Sequence, residues 1–294
     1  MTGEFFIQPK TYDISNSYNV VVTSNMRITP PHARDDVHEI VFEIHSASFS
    51  YLEGQSIGVL APPPYDFGAD HHMRLYSIAS TRKGEQGKKD EIAICVQRCF
   101  YIDAVSGERY PGKSSNYLCD LSAGDEVTIT GPYGRHFIIP RDKEANILMV
   151  ASGTGIAPFR AFIKHIFEEE DEWLGKVRLF YEADTGLDLL YMNEVKNDIE
   201  HHYLQSTFKA IEALSGAPFD DSSNALVQKL EENSADVWEL IQDSKTHVYV
   251  AGMRKASKEL DEALSRIAGS EEAWMEKKRA LFQEGRWAEH LYDR

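Results

Sequence analysis

Two short segments hold residue types that can do chemistry together. Arg74-Leu75-Tyr76-Ser77 offers a guanidinium, a phenol ring and a hydroxyl in quick succession. An arginine can pair with a phosphate, a tyrosine ring can lie flat on another aromatic, and a serine hydroxyl can hydrogen-bond a ring nitrogen. Alternation along a strand places Arg74 and Tyr76 on one face. The same string also fits a plain strand with a surface arginine and a core tyrosine. The second segment, Gly153-Thr154-Gly155-Ile156-Ala157-Pro158, follows the apolar run 146–151 and opens a helical pattern. Its glycines permit a tight turn and close backbone approach. The helix start offers unpaired N–H groups and the positive dipole end to a phosphate. The last position is Pro158, so the dinucleotide fingerprint is incomplete, and an ordinary strand–helix turn would read the same way.

These segments need scaffolds, and the chain supplies two kinds. Segments 20–22, 39–44, 56–60, 91–96 and 126–130 are short, β-branched or alternating, and separated by Gly, Pro, Asn and Asp. They predict an antiparallel barrel or sandwich, with 84–90 as a polar loop. The pattern changes near Pro140. Apolar strand-like runs at 146–151, 177–181, 206–211 and 246–250 alternate with helical patterns at 159–167, 188–202, 225–242, 257–268 and 271–284. That alternation predicts a doubly wound parallel α/β part. The expected division is 1–141 and 142–294, with 215–224 as a loop.

Composition narrows the function. The chain has 294 residues and an apolar fraction of 42%, enough to bury real cores. No stretch approaches the ~18 consecutive apolar residues of a membrane helix, and the first ten residues lack a secretory pattern. We therefore expect a cytoplasmic protein without membrane insertion. Net charge is −16, which disfavours nucleic acid as a partner. Residues 1–141 hold 13 Lys/Arg against 17 Asp/Glu, and residues 142–294 hold 18 against 30. The first half carries local basic clusters, Arg82-Lys83, Lys88-Lys89 and Arg109 near Lys113, where an acidic partner could dock. Cys95, Cys99 and Cys119 are too few for a disulfide framework or for the four thiolates of a ferredoxin-type cluster. No metal ligand set is assigned. Electron handling would therefore need an organic cofactor.

Taken together and in order, the motifs resemble the plant-type ferredoxin–NADP reductase family, from about residue 18 to Tyr292. The resemblance runs through residues 74–77, Cys95-Val96-Gln97-Arg98, Tyr101, the stretch Gly112-Lys113-Ser114-Ser115-Asn116-Tyr117-Leu118-Cys119-Asp120-Leu121, Gly131-Pro132-Tyr133-Gly134, 153–159, Val250-Ala251-Gly252-Met253, Trp287 and Tyr292. It implies an FAD-binding antiparallel β-barrel followed by an NAD(P)-binding doubly wound α/β domain. It implies an enzyme passing electrons between NAD(P)H and ferredoxin or a flavodoxin-like carrier. By the same resemblance, Arg74, Ser114 and Ser115 would hold the FAD pyrophosphate, beside Leu75 and Lys113. Tyr76 would stack on the isoalloxazine and Ser77 would hydrogen-bond flavin N5. Cys95, Val96 and Gln97 would line the flavin, and Tyr101 would stack on its adenine. Gly153, Thr154, Gly155 and Pro158 would hold the nucleotide, with Gly252 and Met253 bordering its nicotinamide. Tyr292 would cover the second flavin face.

The chain departs from the family on the nucleotide side. Ala251 stands where the family has cysteine. His290, adjacent to Glu289, stands for a carboxylate and could titrate near neutral pH. Asp293-Arg294 follow the aromatic. The family's 2′-phosphate pair falls at about Glu212-Ala213, and its adenine-stacking tyrosine falls near Leu226. A carboxylate repels a phosphate and accepts from a free 2′-hydroxyl, so Glu212 points to weakened NADP preference and NAD use, with Lys209 or Lys229 as compensating cations. The alternatives are a reductase component feeding an oxygenase and a non-catalytic complex subunit that kept the fold.

Overall fold

The computed structural model describes residues 12, 14–63, 72–85, 87–103, 105–170, 172–216 and 224–292. The expected loop at 215–224 and the pair Asp293-Arg294 therefore lie largely or wholly outside the described residues. The chain runs β1 (Ser17–Arg27), β2 (Val37–Glu43), β3 (Ser56–Ala61), β4 (His72–Ser77), β5 (Glu91–Gln97), β6 (Phe100–Ile102), β7 (Arg109–Pro111), α1 (Lys113–Asp120) and β8 (Glu126–Tyr133). It continues β9 (Asn146–Ser152), α2 (Ile156–Lys164), β10 (Val177–Ala183), β11 (Phe208–Leu214), α3 (Ala225–Glu232), α4 (Ser234–Gln242), β12 (Thr246–Met253), α5 (Arg254–Ala268), α6 (Glu271–Gln283) and β13 (Trp287–Tyr292).

The first sheet has the order β4-β3-β8-β1-β2-β5 and its paired strands are antiparallel. A bridge from Ile78 to Ile94, with the Ala79 N–H donating to Ala93 O, ties the end of β4 to β5 and closes the sheet into a barrel. Closure removes the free edges that would otherwise invite pairing. Alternate residues fill the inside: Val20 and Val22, Ile40 and Phe42, Ile57 and Val59, Ile92 and Ile94, Val127 and Ile129. β2 and β5 are largely buried on both faces because their outer face is also covered. Val37, Val41, Ala93 and Cys95 join Met149, Ala151, Phe159 and Phe162 in one continuous core.

The second sheet is parallel, ordered β11-β10-β9-β12-β13. Its strand order reverses at β9, which opens a crevice at the carboxyl ends of β9 and β12, the usual ligand position in such sheets. One face packs on α2 and the barrel. The other packs on α3, α4, α5 and α6 through Leu148, Val150, Leu260 and Trp274.

Several expectations are corrected. Residues 188–202 are not helical; they form short 3-10 turns at Gly186–Asp188 and Glu200–His202 around an irregular run. Leu189, Leu190, Tyr191 and Met192 are all buried, so no one-sided apolar stripe exists for a helix to present. The Asn193 side chain instead accepts the Val195 and Lys196 N–H groups. The expected helix 225–242 is split at Asn233, whose side chain donates to Lys229 O. β12 continues through Gly252 and Met253, where the pattern placed them after the strand. The short α1, β6, β7 and the final strand β13 had no clear periodic signal.

Candidate functional site

β4 pairs with β3, so Arg74 lies opposite Val59, Tyr76 opposite Ile57 and Ser77 opposite Ser56. Arg74 and Leu75 are exposed, while Tyr76 and Ser77 are half-buried. Tyr76 donates its hydroxyl to Ser114 Oγ at 3.0 Å, which ties β4 to the first turn of α1. Burial raises the Tyr76 phenol well above its ordinary range, so it stays a neutral donor. Ser115 Oγ accepts the Cys99 N–H at 3.1 Å. The N-cap of α1 is Gly112, with no side-chain cap, so the helix start turns its positive dipole end toward this face. Lys113 is exposed at that helix start. Residues 74–77 and 112–115, distant in sequence, thus form one face.

Beside it, β6 and β7 make a two-stranded ribbon. Tyr101 is 56% exposed and stacked on Tyr110, with ring centroids 5.5 Å apart. An exposed aromatic pair next to a basic face suits a planar adenine. The side chain of Cys95 turns away from this face into the core under Tyr191, and burial pushes its thiol well above the usual range. Val96 points into the barrel, and Gln97 is half-buried at the end of β5.

At the crevice, Gly153–Gly155 form a 3-10 turn that leads into α2. A Cβ on Gly155 would stand 2.1 Å from Ala251 O, and one on Gly252, at φ +128°, would stand 2.4 Å from Ser152 O. Glycine at both positions lets the ends of β9 and β12 meet. The Met253 N–H donates to Ser152 Oγ, and Tyr181 donates its hydroxyl to Gly153 O. Pro158 is buried in the first turn of α2. Tyr292 lies over the turn: its hydroxyl is 2.8 Å from Thr154 Oγ1 and donates to Ser152 O at 3.3 Å.

His290 joins the two halves. It pairs with Ala251 in register and stacks on Phe137, centroids 4.0 Å apart. A Cβ on Gly134 would meet its ring at 3.4 Å and Gln55 at 3.9 Å. Ser56, next to Gln55, faces Ser77 with hydroxyls 3.4 Å apart. Burial holds His290 down to about 4, so it is neutral at pH 7, which corrects the expectation of titration near neutrality. Glu289 turns to the opposite face, accepting from Trp287 and Ser257.

Glu212 is exposed near the end of β11, and Tyr203, beside it, has its phenol pushed up by burial and by that carboxylate. Leu226 is fully buried and offers no surface for adenine. Sequence reasoning missed a buried Arg160, which donates to Glu85, Asp198 and Ala79 O. It also missed Glu182 and Glu259. Among the described residues, Glu53, His165 and Glu169 bring possible ligand atoms within 4.8 Å of one another, but the Arg82 guanidinium already pairs with Glu53.

A closed antiparallel barrel with a basic, ring-bearing face, joined to a doubly wound sheet with a glycine turn, defines a nucleotide-dependent oxidoreductase. A family profile described as the oxidoreductase NAD-binding domain matches residues 149–259. The ferredoxin–NADP reductase of Spirulina sp is 34% identical over 287 residues, covering 96% of this chain and 97% of that protein. The chloroplastic ferredoxin–NADP reductase of Spinacia oleracea is 33% identical over 274 residues, covering 91% and 73%. The chain belongs to the ferredoxin–NADP reductase family. A solved ferredoxin–NADP+ reductase from Plasmodium falciparum, also known with 2′P-AMP, shares the fold with a TM-score of 0.75 at 20% identity, covering 96% of this chain and 98% of that one.

Proposed function

We propose that this chain uses FAD to move electrons between NAD(P)H and ferredoxin or a flavodoxin-like carrier. The observation that carries the reading is the Tyr76–Ser114 hydrogen bond, which holds the 74–77 clamp against the uncapped start of α1. FAD, when bound, takes both electrons of a hydride and releases them singly. Arg74, Ser114 and Ser115 hold its pyrophosphate, and Tyr76 supports its ring. Tyr101 and Tyr110 hold the adenine, and Ser77 donates to the ring edge. Gly153, Thr154 and Gly155 receive the nucleotide, and Gly252 and Met253 border its reactive end. Tyr292 keeps water from the site until the nucleotide displaces it, breaking its bonds to Thr154 and Ser152. Neutral His290 fills the floor without contributing charge. Both buried thiols stay protonated, with Cys119 pushed up to about 12 by burial, so neither acts as a thiolate.

The FAD part would comprise residues 1–141 and the nucleotide part 142–294, dividing between β8 and β9. We place the protein in the cytoplasm. Cys95 and Cys119 are buried thiols and Cys99 is exposed, which suits a reducing compartment. Among the described residues, no helix is long and apolar enough to cross a membrane.

The test is the double variant Arg74→Ala with Tyr76→Ala. It should purify with a native circular dichroism spectrum and much reduced FAD content. Full FAD occupancy would refute the assignment.

A further inference from the structure

Glu182 lies near the end of β10 and pairs in register with Ser152, the residue before the 153–155 turn. It is 8% exposed, and its Oε2 has no hydrogen-bond donor. Glu259, on α5, is 5% exposed, and neither of its oxygens receives a hydrogen bond of ordinary geometry. Lys255, one turn earlier on α5, sits between them, 3.8 Å from Glu182 and 3.4 Å from Glu259. One ammonium therefore serves two buried carboxylates.

Asp184 on the same chain segment and Glu262 on α5 add negative potential at the pair, while Arg34 and Arg266 pair with these two outer acids. β9 and β11 flank Glu182 with Ser152 and Ala213, and the buried face of α3 is Leu226, Val227 and Leu230. Burial, then Glu259, pushes Glu182 up to about 7. Burial raises Glu259 as well, so the two carboxyl groups titrate as a pair.

We propose that Glu182, Lys255 and Glu259 form a proton-linked affinity switch for the nucleotide's phosphates. With one proton on the pair, Lys255 is free to turn toward a phosphate at the sheet edge. With both carboxylates ionised, Lys255 is held and the edge repels phosphate. The placement fits. The glycine turn takes the nucleotide at the end of β9, and the next strand ends along that edge carry Glu182 and then exposed Glu212. The inference rests on the nucleotide-dependent reading above and adds a determinant to it: binding takes up a proton, and affinity falls as pH rises from 6.5 to 8.

The test is calorimetry of the FAD-loaded protein with NADP+ and with NAD+, in two buffers of different ionisation heat, at pH 6.5, 7.25 and 8. NAD+ carries no phosphate that titrates near pH 7, so its proton uptake reports the protein. We expect uptake with both nucleotides and a several-fold loss of affinity, bounded by about tenfold per pH unit for one proton. Glu182→Gln should keep its flavin spectrum, lose the uptake with NAD+ and bind with little pH dependence. Lys255→Met should weaken binding at pH 6.5 more than at pH 8. No uptake by the unmodified protein, or uptake unchanged in Glu182→Gln, overturns the proposal. Tight but pH-independent binding removes this inference alone. Failure of either nucleotide to bind or to bleach the flavin removes the parent reading as well.

Discussion

At the scale of single residues, the sequence singled out two segments that the fold brings into contact and misled on the titration of the histidine. Tyr76 of the first segment meets Ser114 at the start of α1. What the string could not show is that Tyr76 is both core and clamp. It packs on the barrel interior while its hydroxyl reaches Ser114. Tyr76→Phe should therefore cost about 1 kcal/mol, the worth of one hydrogen bond, and weaken FAD retention without changing the fold; a urea titration with and without added FAD measures both. His290 looked like a neutral-pH switch because nothing in the sequence reports burial against Phe137. Its depressed value means that stability is fully present above about 6.5, its ordinary value, and erodes as pH falls toward 4. His290→Gln should flatten that loss in thermal unfolding between pH 6.5 and 4. It should leave the pH profile of turnover from 6 to 8 unchanged, because the histidine does not titrate there.

At the scale of elements, periodicity located the long helices and the parallel strands and missed segments shaped by tertiary packing. The run 188–202 failed as a helix because its apolar residues are consecutive and buried on all sides between the two sheets. β13 was invisible because a short edge strand carrying Glu289 and His290 has no apolar run. It exists because β12 pairs with it from Val248–Trp287 to Met253–Tyr292. The 153–155 turn was legible as a glycine motif, but its reason was not. Gly155 is required by the Ala251 carbonyl across the crevice, and Gly252 by Ser152. Gly155→Ala should therefore destabilise by on the order of 3 kcal/mol and abolish nucleotide binding. Chemical denaturation and nucleotide titration together check this; near-native values in both would contradict the close approach.

At the scale of the whole molecule, the two sheets are joined by charge as well as by apolar packing. Arg160 from α2 is fully buried and pairs with Glu85, Asp198 and Glu39, and Lys196 also reaches Glu39. None of these pairs is close in sequence, which is why pattern reading could place Glu85 only in a polar loop. Removing the guanidinium strands buried carboxylates, so Arg160→Met should cost about 3–5 kcal/mol and separate the unfolding of the two parts in a calorimetric scan. The Glu182–Glu259 pair acts in the opposite pH direction to His290. The raised value of Glu182 means that its favourable contribution is present at low pH and is lost as pH rises through about 7. The stability difference between Glu182→Gln and the unmodified protein should therefore grow from pH 6 to pH 8. The account as a whole stands on electron transfer through a bound flavin. Anaerobic stopped-flow absorbance tests that most directly: NADPH should bleach the flavin band of the purified yellow protein, and oxidised ferredoxin should restore it. A colourless protein, or a flavin band that neither NADPH nor NADH bleaches, would contradict the account.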